Sequence, residues 1–261
     1  MGMRRFHLFE IEDQPWLPDG FRNLLTDFLE ILSKTLRIYN PVAPLIDNVL
    51  RRTHSRRVVD LCSGAAGPWC QLLASGWDVS VTLTDMFPNR EAFARAKAHY
   101  AGQLDYCSEP VDARHIPERL DGMRTLFNSF HHFRPVDAQA ILQGVVDQRM
   151  AVGIFEIAER TPRILLSVLF GVPLLALVAT PFIRPLSLSR LFWTYVLPLV
   201  PLCLVWDGLV SMLRTYSSED LASMAAAVDK DTYQWEVGRL VPPFPGVPVT
   251  YLLGYPREPL T

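Results

Sequence analysis

The sequence predicts a doubly wound α/β domain. Its seven-stranded, mostly parallel sheet carries an apolar helical hairpin inserted after the fifth strand. Three observations predict this. Short β-branched runs alternate with helical stretches from residue 57 to residue 159 over short connections, which requires parallel strands joined by right-handed crossovers. Two later strands, 233–240 and 249–254, flank the Pro-rich VPPFPGVP, which reads as the loop of a closing hairpin. Between these parts, ILLSVLFGVPLLALVATPFI, residues 164–183, has no charged side chain.

The elements follow in chain order. Residues 1–54 form an N-terminal helical cap. Leu24, Leu25, Phe28, Leu29, Ile31 and Leu32 share one broad face of a helix over 18–38, with Arg22, Asp27, Glu30 and Lys34 mostly elsewhere. Pro41 and Pro44 end it, and a short helix covers Leu45 to Arg52. RVVDLC (57–62) is the first strand and Pro68–Ala74 a helix. DVSVTLTD (78–85) is the second strand and Ala92–Tyr100 an Ala-rich helix. A third strand lies near 104–111 and a fourth, RTLFNSF, at 124–130. A helix runs from Val136 to Met150, and AVGIFEIAE (151–159) is the fifth strand. After the apolar region, Ser217 or Ser218 caps a helix reaching Val228, with Glu219 and Asp220 in its first turn, where the helix dipole favours acids. Residues 55–160 and 207–261 thus form the sheet domain, and 161–206 the hydrophobic insertion.

Composition narrows the function. Charged residues make up 20% of 261 and the formal net charge is −2, so no global basic field points to nucleic acid. Cys62, Cys70, Cys107 and Cys203 form no CxxC pair and no Cys/His spacing that suits zinc. They read as reduced thiols of a cytosolic compartment, and no metal is expected. Glu10, Glu12 and Asp13 interrupt any apolar run after Arg4 and Arg5, so no signal peptide is expected. Phe6 stands where a myristoylation motif after Gly2 needs Ser or Thr. RRTHSRR (51–57) enters the first strand at its amino end and reads as a solvated basic surface.

In an open parallel sheet, ligands bind outside the carboxyl ends of the strands near the switch point. Three strand ends are informative. In VVDLCSGAAGPW, Gly64 and Gly67 let backbone approach a ligand that a Cβ would obstruct. Asp85 ends the second strand, 85 − 67 = 18 residues beyond Gly67, where an acid meets ribose hydroxyls in nucleoside-binding α/β folds. Asp112 and Ala113 end the third, where an acid accepts from an adenine amino group. A dinucleotide site would need GxGxxG, which this loop lacks, and Pro68 removes an N–H from the helix start.

This series resembles the class I S-adenosylmethionine-dependent methyltransferases, with their Rossmann-like fold. VVDLCSGAAG is similar to the family's first motif, usually closer to DxGxGxG, with Cys62 in the place of its first glycine. LTD, VDA and NSFHHF are similar to the next three, and IFEIAE to the strand that follows. The resemblance covers roughly residues 55–160 and 217–255. It implies S-adenosylmethionine as cofactor, contacted by Asp60, Cys62, Gly64, Gly67, Asp85, Met86, Asp112, Ala113, Asn128 and Tyr39. Phe87 is a further stacking candidate beside Met86, and Tyr39 would close over the methionine end. His131 and His132 follow the fourth strand, where the family places substrate-facing residues. An imidazole suits proton removal near neutral pH. Glu156 and Glu159, at the end of the fifth strand, are further candidates to hold an amine or take a proton.

A second apolar run, LFWTYVLPLVPLCLVW (191–206), makes a hairpin with the first through RPLSLSR. Both faces of each run are apolar, which points to membrane contact. Arg184 and Arg190 in the turn oppose translocation. Pro173, Pro181, Pro198 and Pro201 break long helices. Kinked helices embedded in one leaflet are expected, the arginines snorkelling to headgroups; a two-pass hairpin is the alternative. The insertion leaves the carboxyl end of the fifth strand, so it emerges on the ligand face. The expected function is methyl transfer to a lipophilic small molecule or lipid at the cytoplasmic face of a membrane. A membrane-tethered binding protein without catalysis, and a soluble methyltransferase that dimerises through the hairpin, are the other readings.

Overall fold

The computed structural model describes residues 4–157, 159–229, 231–242 and 246–257. Gly2 and the middle of the Pro-rich loop, 243–245, lie outside the described residues. Residues 4–18 form no helix or strand and are followed by α1 (Asp19–Leu36) and α2 (Ala43–Arg52). Strand and helix next alternate: β1 (Arg57–Leu61), α3 (Trp69–Leu73), β2 (Ser80–Leu83), α4 (Arg90–His99) and β3 (Leu104–Tyr106). They continue as β4 (Met123–Phe127), α5 (Pro135–Asp147) and β5 (Val152–Glu156). The strand order is β3-β2-β1-β4-β5, all parallel, so it reverses between β1 and β4 and leaves a switch point there.

The apolar insertion follows as α6 (Pro162–Leu166), α7 (Val172–Ala179), α8 (Leu188–Leu191) and α9 (Leu199–Arg214). Then α10 (Ser218–Val228) leads to β6 (Tyr233–Leu240) and β7 (Val249–Pro256). β7 lies antiparallel between β5 and β6 and completes a seven-stranded sheet. α10 starts as the sequence indicates. Ser217 Oγ accepts from the Asp220 amide at 3.1 Å and Asp220 Oδ2 accepts from the Ser217 amide at 2.9 Å, a reciprocal cap. The third strand is shorter than expected. After Cys107 donates to the Leu83 carbonyl, the chain turns through Pro110, which has no N–H for a ladder.

Each face of the sheet is covered by helices, which is why β4 and β5 are buried along their whole length and β1 beyond its first residue. Ile46, Trp69, Leu72 and Phe93 pack on one face; Ile141, Leu142, Leu221 and Ala225 pack on the other. A third cluster joins α1 to the insertion: Leu24, Leu25 and Phe28 meet Ala176, Val200 and Leu204. One side of the apolar helices is therefore covered by the chain itself, although their composition gives no sign of which side.

The other side is bare. Pro162–Phe182 is a 21-residue helical segment of mean hydropathy 2.3, of which only 11% is buried over its most apolar window. Phe170, Leu174, Val178 and Phe182 repeat every four residues and are 67%, 62%, 58% and 70% exposed. By length and composition this helix could cross a membrane. Pro173 does not break it: a π-turn at Ser167–Gly171 precedes the proline and widens the helix where the ring would strike a carbonyl. The second run does break. Leu188–Val196 and Leu199–Arg214 meet at 73°, with Leu197 extended and Pro198 unable to donate.

Arg190 departs from expectation. It does not reach outward but is buried, with Nη2 2.5 Å from Asp27 Oδ2 on α1. The pair ties the tip of the insertion to the helical cap, because an arginine this enclosed needs a carboxylate partner. Asp27→Ala would strand the guanidinium, and is expected to cost about 3–5 kcal/mol in urea unfolding. Adding Arg190→Met should recover most of it; a loss under about 1 kcal/mol in the single variant would contradict the pairing.

Candidate active site

The loops at the carboxyl ends of β1 to β4 line a cavity of about 1020 Å³, at the upper end for a small-molecule site. Asp60 is the penultimate residue of β1, and its carboxylate is enclosed. Oδ1 accepts from Thr125 Oγ1 at 2.6 Å and Oδ2 from Ser63 Oγ at 2.7 Å. The loop then takes left-handed conformations at Cys62, Gly64, Ala66 and Gly67, with φ between 52° and 92°. Gly64 and Gly67 both line the cavity, and their positive φ is a conformation that glycine adopts without a steric penalty. Burial holds the Cys62 thiol well above its ordinary pKa, so it is an unreactive wall group.

Asp85, just past the end of β2, ties two loops together. Oδ2 accepts from the Gly64 amide and Oδ1 from the Phe87 amide, both at 2.8 Å. Burial raises its pKa, against these two donors. Each oxygen keeps a further lone pair for a ligand hydroxyl. Met86 beside it is 47% exposed, and Phe87 is held under the Arg22 guanidinium at 3.9 Å. Beyond β3, Ala113 is buried, while the Asp112 carboxylate is gripped by Arg114 at 2.6 Å. That hydrogen bond holds Asp112 below the usual carboxylate range.

Tyr39 is buried with its ring edge-on to Phe127 at 5.0 Å, and burial raises its phenol far above the usual range. Asn128 adopts φ 49° and its Oδ1 accepts from the Ile157 amide at 3.3 Å. Both side chains lie in the cavity wall, as does Glu159, which is paired with Arg239 at 2.6 Å.

The two histidines separate. His132 lines the cavity, whereas His131 and Glu156 lie behind it, both fully buried. Glu156 Oε2 is 2.5 Å from His131 Nδ1 and its Oε1 accepts from the Phe130 amide at 2.7 Å. This carboxylate therefore fixes the short 3-10 turn Phe130–His132 that presents His132.

The partners of His132 come from the N-terminal segment, which the sequence does not mark as part of the site. His132 Nδ1 is 2.7 Å from Asp13 Oδ1 and 3.2 Å from Glu10 Oε2. Arg214 reaches the same two acids, at 2.6 Å and 3.2 Å. Burial alone would lower the His132 pKa; the charges of Glu10 and Asp13 outweigh it and push it up to about 10. Nδ1 of this ring therefore faces two carboxylates. Burial pushes Glu12 up to about 8, against the attraction of His132 and with the repulsion of Asp207. A cavity-facing carboxylic acid is the result.

The cavity's far wall is apolar. Phe28, Leu29 and Leu32 of α1 face it together with Ile164, Val168, Val172 and Leu204 of the insertion. Strand-end polar groups and the inner side of the apolar helices thus border one space.

The enclosure of Asp60 has a pH signature. Burial pushes it up to about 6 from an ordinary 3.8, against the donors that hold it. The folded chain keeps a proton that the unfolded chain releases between those values. Stability from this group is full below the lower value and is lost as pH rises through the upper one, by about 3 kcal/mol. Asp60→Asn is expected to remove that part of the fall in unfolding free energy between about pH 4 and 6.5. Identical falls in wild type and variant, read by urea titration, would contradict the assignment.

No family model matches the chain, and no curated protein matches it by sequence. Among solved structures, it is similar to a candidate O-methyltransferase from Nostoc punctiforme PCC 73102, at 12% identity and a TM-score of 0.51, over 89% of this chain and 59% of that one. It is also similar to the plantazolicin methyltransferase in complex with SAH, at 10% identity and a TM-score of 0.52, over 91% of this chain and 88% of that one. The chain spans about three fifths of the length of the first. These likenesses show the fold, that of the class I S-adenosylmethionine-dependent methyltransferases.

Proposed function

We propose that this chain transfers a methyl group from S-adenosylmethionine to a lipophilic small molecule or lipid at a membrane surface. One observation carries the reading: a single cavity has the strand-end loops for its floor and the apolar insertion for its far wall. The fold class and the cavity-lining, positive-φ Gly64 and Gly67 support a nucleoside on that floor. Asp85 takes the ribose hydroxyls on the lone pairs its amide donors leave free. Met86, Asp112 and Ala113 border the adenine, and Asp60, Cys62, Tyr39 and Asn128 the methionine end.

When bound, S-adenosylmethionine supplies an electrophilic methyl group on a positively charged sulfur. The chain's own residues orient the acceptor and exclude water. Ile164, Val168, Val172 and Leu204 take its apolar body, so that little water accompanies it to the methyl group. His132 and Glu12 face the acceptor head and fix it by hydrogen bonds. His131 and Glu156 are positioning residues that hold the turn carrying His132. The exposed stripe from Phe170 to Phe182 rests in the lipid, with its inner side toward the cavity, and the acceptor enters from the bilayer without crossing water.

Two measurements test this. Calorimetry should show about one S-adenosylmethionine bound per chain. Incubation of membrane extracts with isotopically labelled methyl donor should then place the label on an organic-soluble species, read by mass spectrometry. Binding without any labelled product would leave only a membrane-tethered binding protein; label only on water-soluble products would sink the lipophilic acceptor.

A further inference from the structure

We propose that Glu10, His131 and His132 form a binding site for one divalent transition-metal ion at the edge of the cavity. One ligand atom from each of the three lies within 4.8 Å of the other two. Glu10 Oε1 is 3.8 Å from His131 Nε2, and Glu10 Oε2 is 3.2 Å from His132 Nδ1. The His131 and His132 rings stack at 4.4 Å between centroids, so both present nitrogens to the same carboxylate.

A second, independent feature points to a ligand. His131 is 0% exposed and its Nε2 has no hydrogen-bond partner. A buried ring nitrogen left unpaired is costly, and native structures rarely tolerate it without a purpose. Its other nitrogen is held by Glu156, 2.5 Å away, and Glu156 is held in turn by the Phe130 amide. A carboxylate on the far nitrogen of a histidine is how proteins fix the tautomer and aim of a metal ligand. Arg214 holds Glu10 in place at 3.2 Å, and Asp13, 2.7 Å from His132 Nδ1, would yield that nitrogen to the ion.

Two imidazoles and one carboxylate suit zinc, iron(II), cobalt(II) or manganese(II), not magnesium or calcium, which prefer all-oxygen sites. Three protein ligands leave open positions, and because His132 lines the cavity they face it. An oxygen of the acceptor, a hydroxyl or an enol, would occupy one of them. That consequence rests on the methyl-transfer reading; the metal site itself does not. Sequence spacing conceals the set, because Glu10 stands far from the paired histidines along the chain.

The full chain, stripped with chelator, is titrated with cobalt(II) by calorimetry and by its visible d–d absorption. About one ion per chain is expected, displaced by zinc. Glu10→Gln and His131→Gln should each weaken binding tenfold or more, and Glu156→Gln roughly 10–100-fold. His99→Ala, on the outer surface of α4, should bind as wild type does. Should His131→Gln fail to fold, Glu10→Gln, which keeps its size, decides the matter once circular dichroism shows it folded. No binding by the wild type, or wild-type affinity in folded Glu10→Gln, overturns the proposal. Loss of S-adenosylmethionine binding with cobalt binding intact would instead overturn the methyl-transfer reading alone.

Discussion

Asp85→Ala is expected to weaken S-adenosylmethionine binding by about a hundredfold, measured by calorimetry. The carboxylate does two jobs that alanine cannot. It accepts the Gly64 and Phe87 amides at 2.8 Å each, which sets the loop after β1 against the loop after β2. It also presents its remaining lone pairs to the ribose. Hydrogen bonds to a charged group contribute about 1.5–3 kcal/mol each, so loss of the ribose contacts and of the loop register together costs about 3 kcal/mol, or two powers of ten. Asp85→Asn should fall between, since its amide oxygen still takes one N–H. Affinity in Asp85→Ala within threefold of wild type would remove the ribose from this position.

The second large effect concerns the bare side of the insertion. Phe170→Glu combined with Leu174→Glu is expected to abolish co-sedimentation with phosphatidylcholine–phosphatidylglycerol vesicles. The two side chains are 67% and 62% exposed on the same stripe and do not line the cavity. An acid at the centre of a membrane helix costs up to ~3 kcal/mol, so the pair should lower partitioning at least a hundredfold. Binding of S-adenosylmethionine should be unchanged, because α1 and the inner side of the insertion are untouched. A wild type that stays in the supernatant as a clean dimer would show that the stripe serves self-association instead.

Much of the sheet is legible because local signals agree there. Val58, Val59, Val81 and Ile154 mark strands in runs too short for helices, and each of the first strands closes on an acid or a small-residue turn. A serine ahead of two acids advertises the start of α10, and the structure selects Ser217, capped reciprocally with Asp220. The cavity's polar floor is legible for the same reason, since Gly64, Gly67 and Asp85 sit at strand ends whose order the topology fixes.

What stays hidden is whatever depends on distant residues meeting. Glu10 and Asp13 reach His132 and Arg214 from more than a hundred residues away, and no periodicity encodes such a pairing. Along the chain these acids only interrupt an apolar run. Arg190 and Asp27 are similarly unreadable, because an arginine between leucines looks the same whether it reaches lipid headgroups or a buried carboxylate. Nor does sequence separate His131 from His132. The two rings stack, and only the enclosure of His131 behind the cavity by Glu156 leaves His132 to line it.

The most direct measurement is a crystal structure of the chain with S-adenosylhomocysteine bound. The account predicts the ribose hydroxyls within hydrogen-bond distance of Asp85 and the sulfur facing the space bordered by His132, Ile164, Val168 and Leu204. A sulfur turned toward the solvent edge of the sheet, with the apolar helices on the opposite side of the nucleoside, would contradict it.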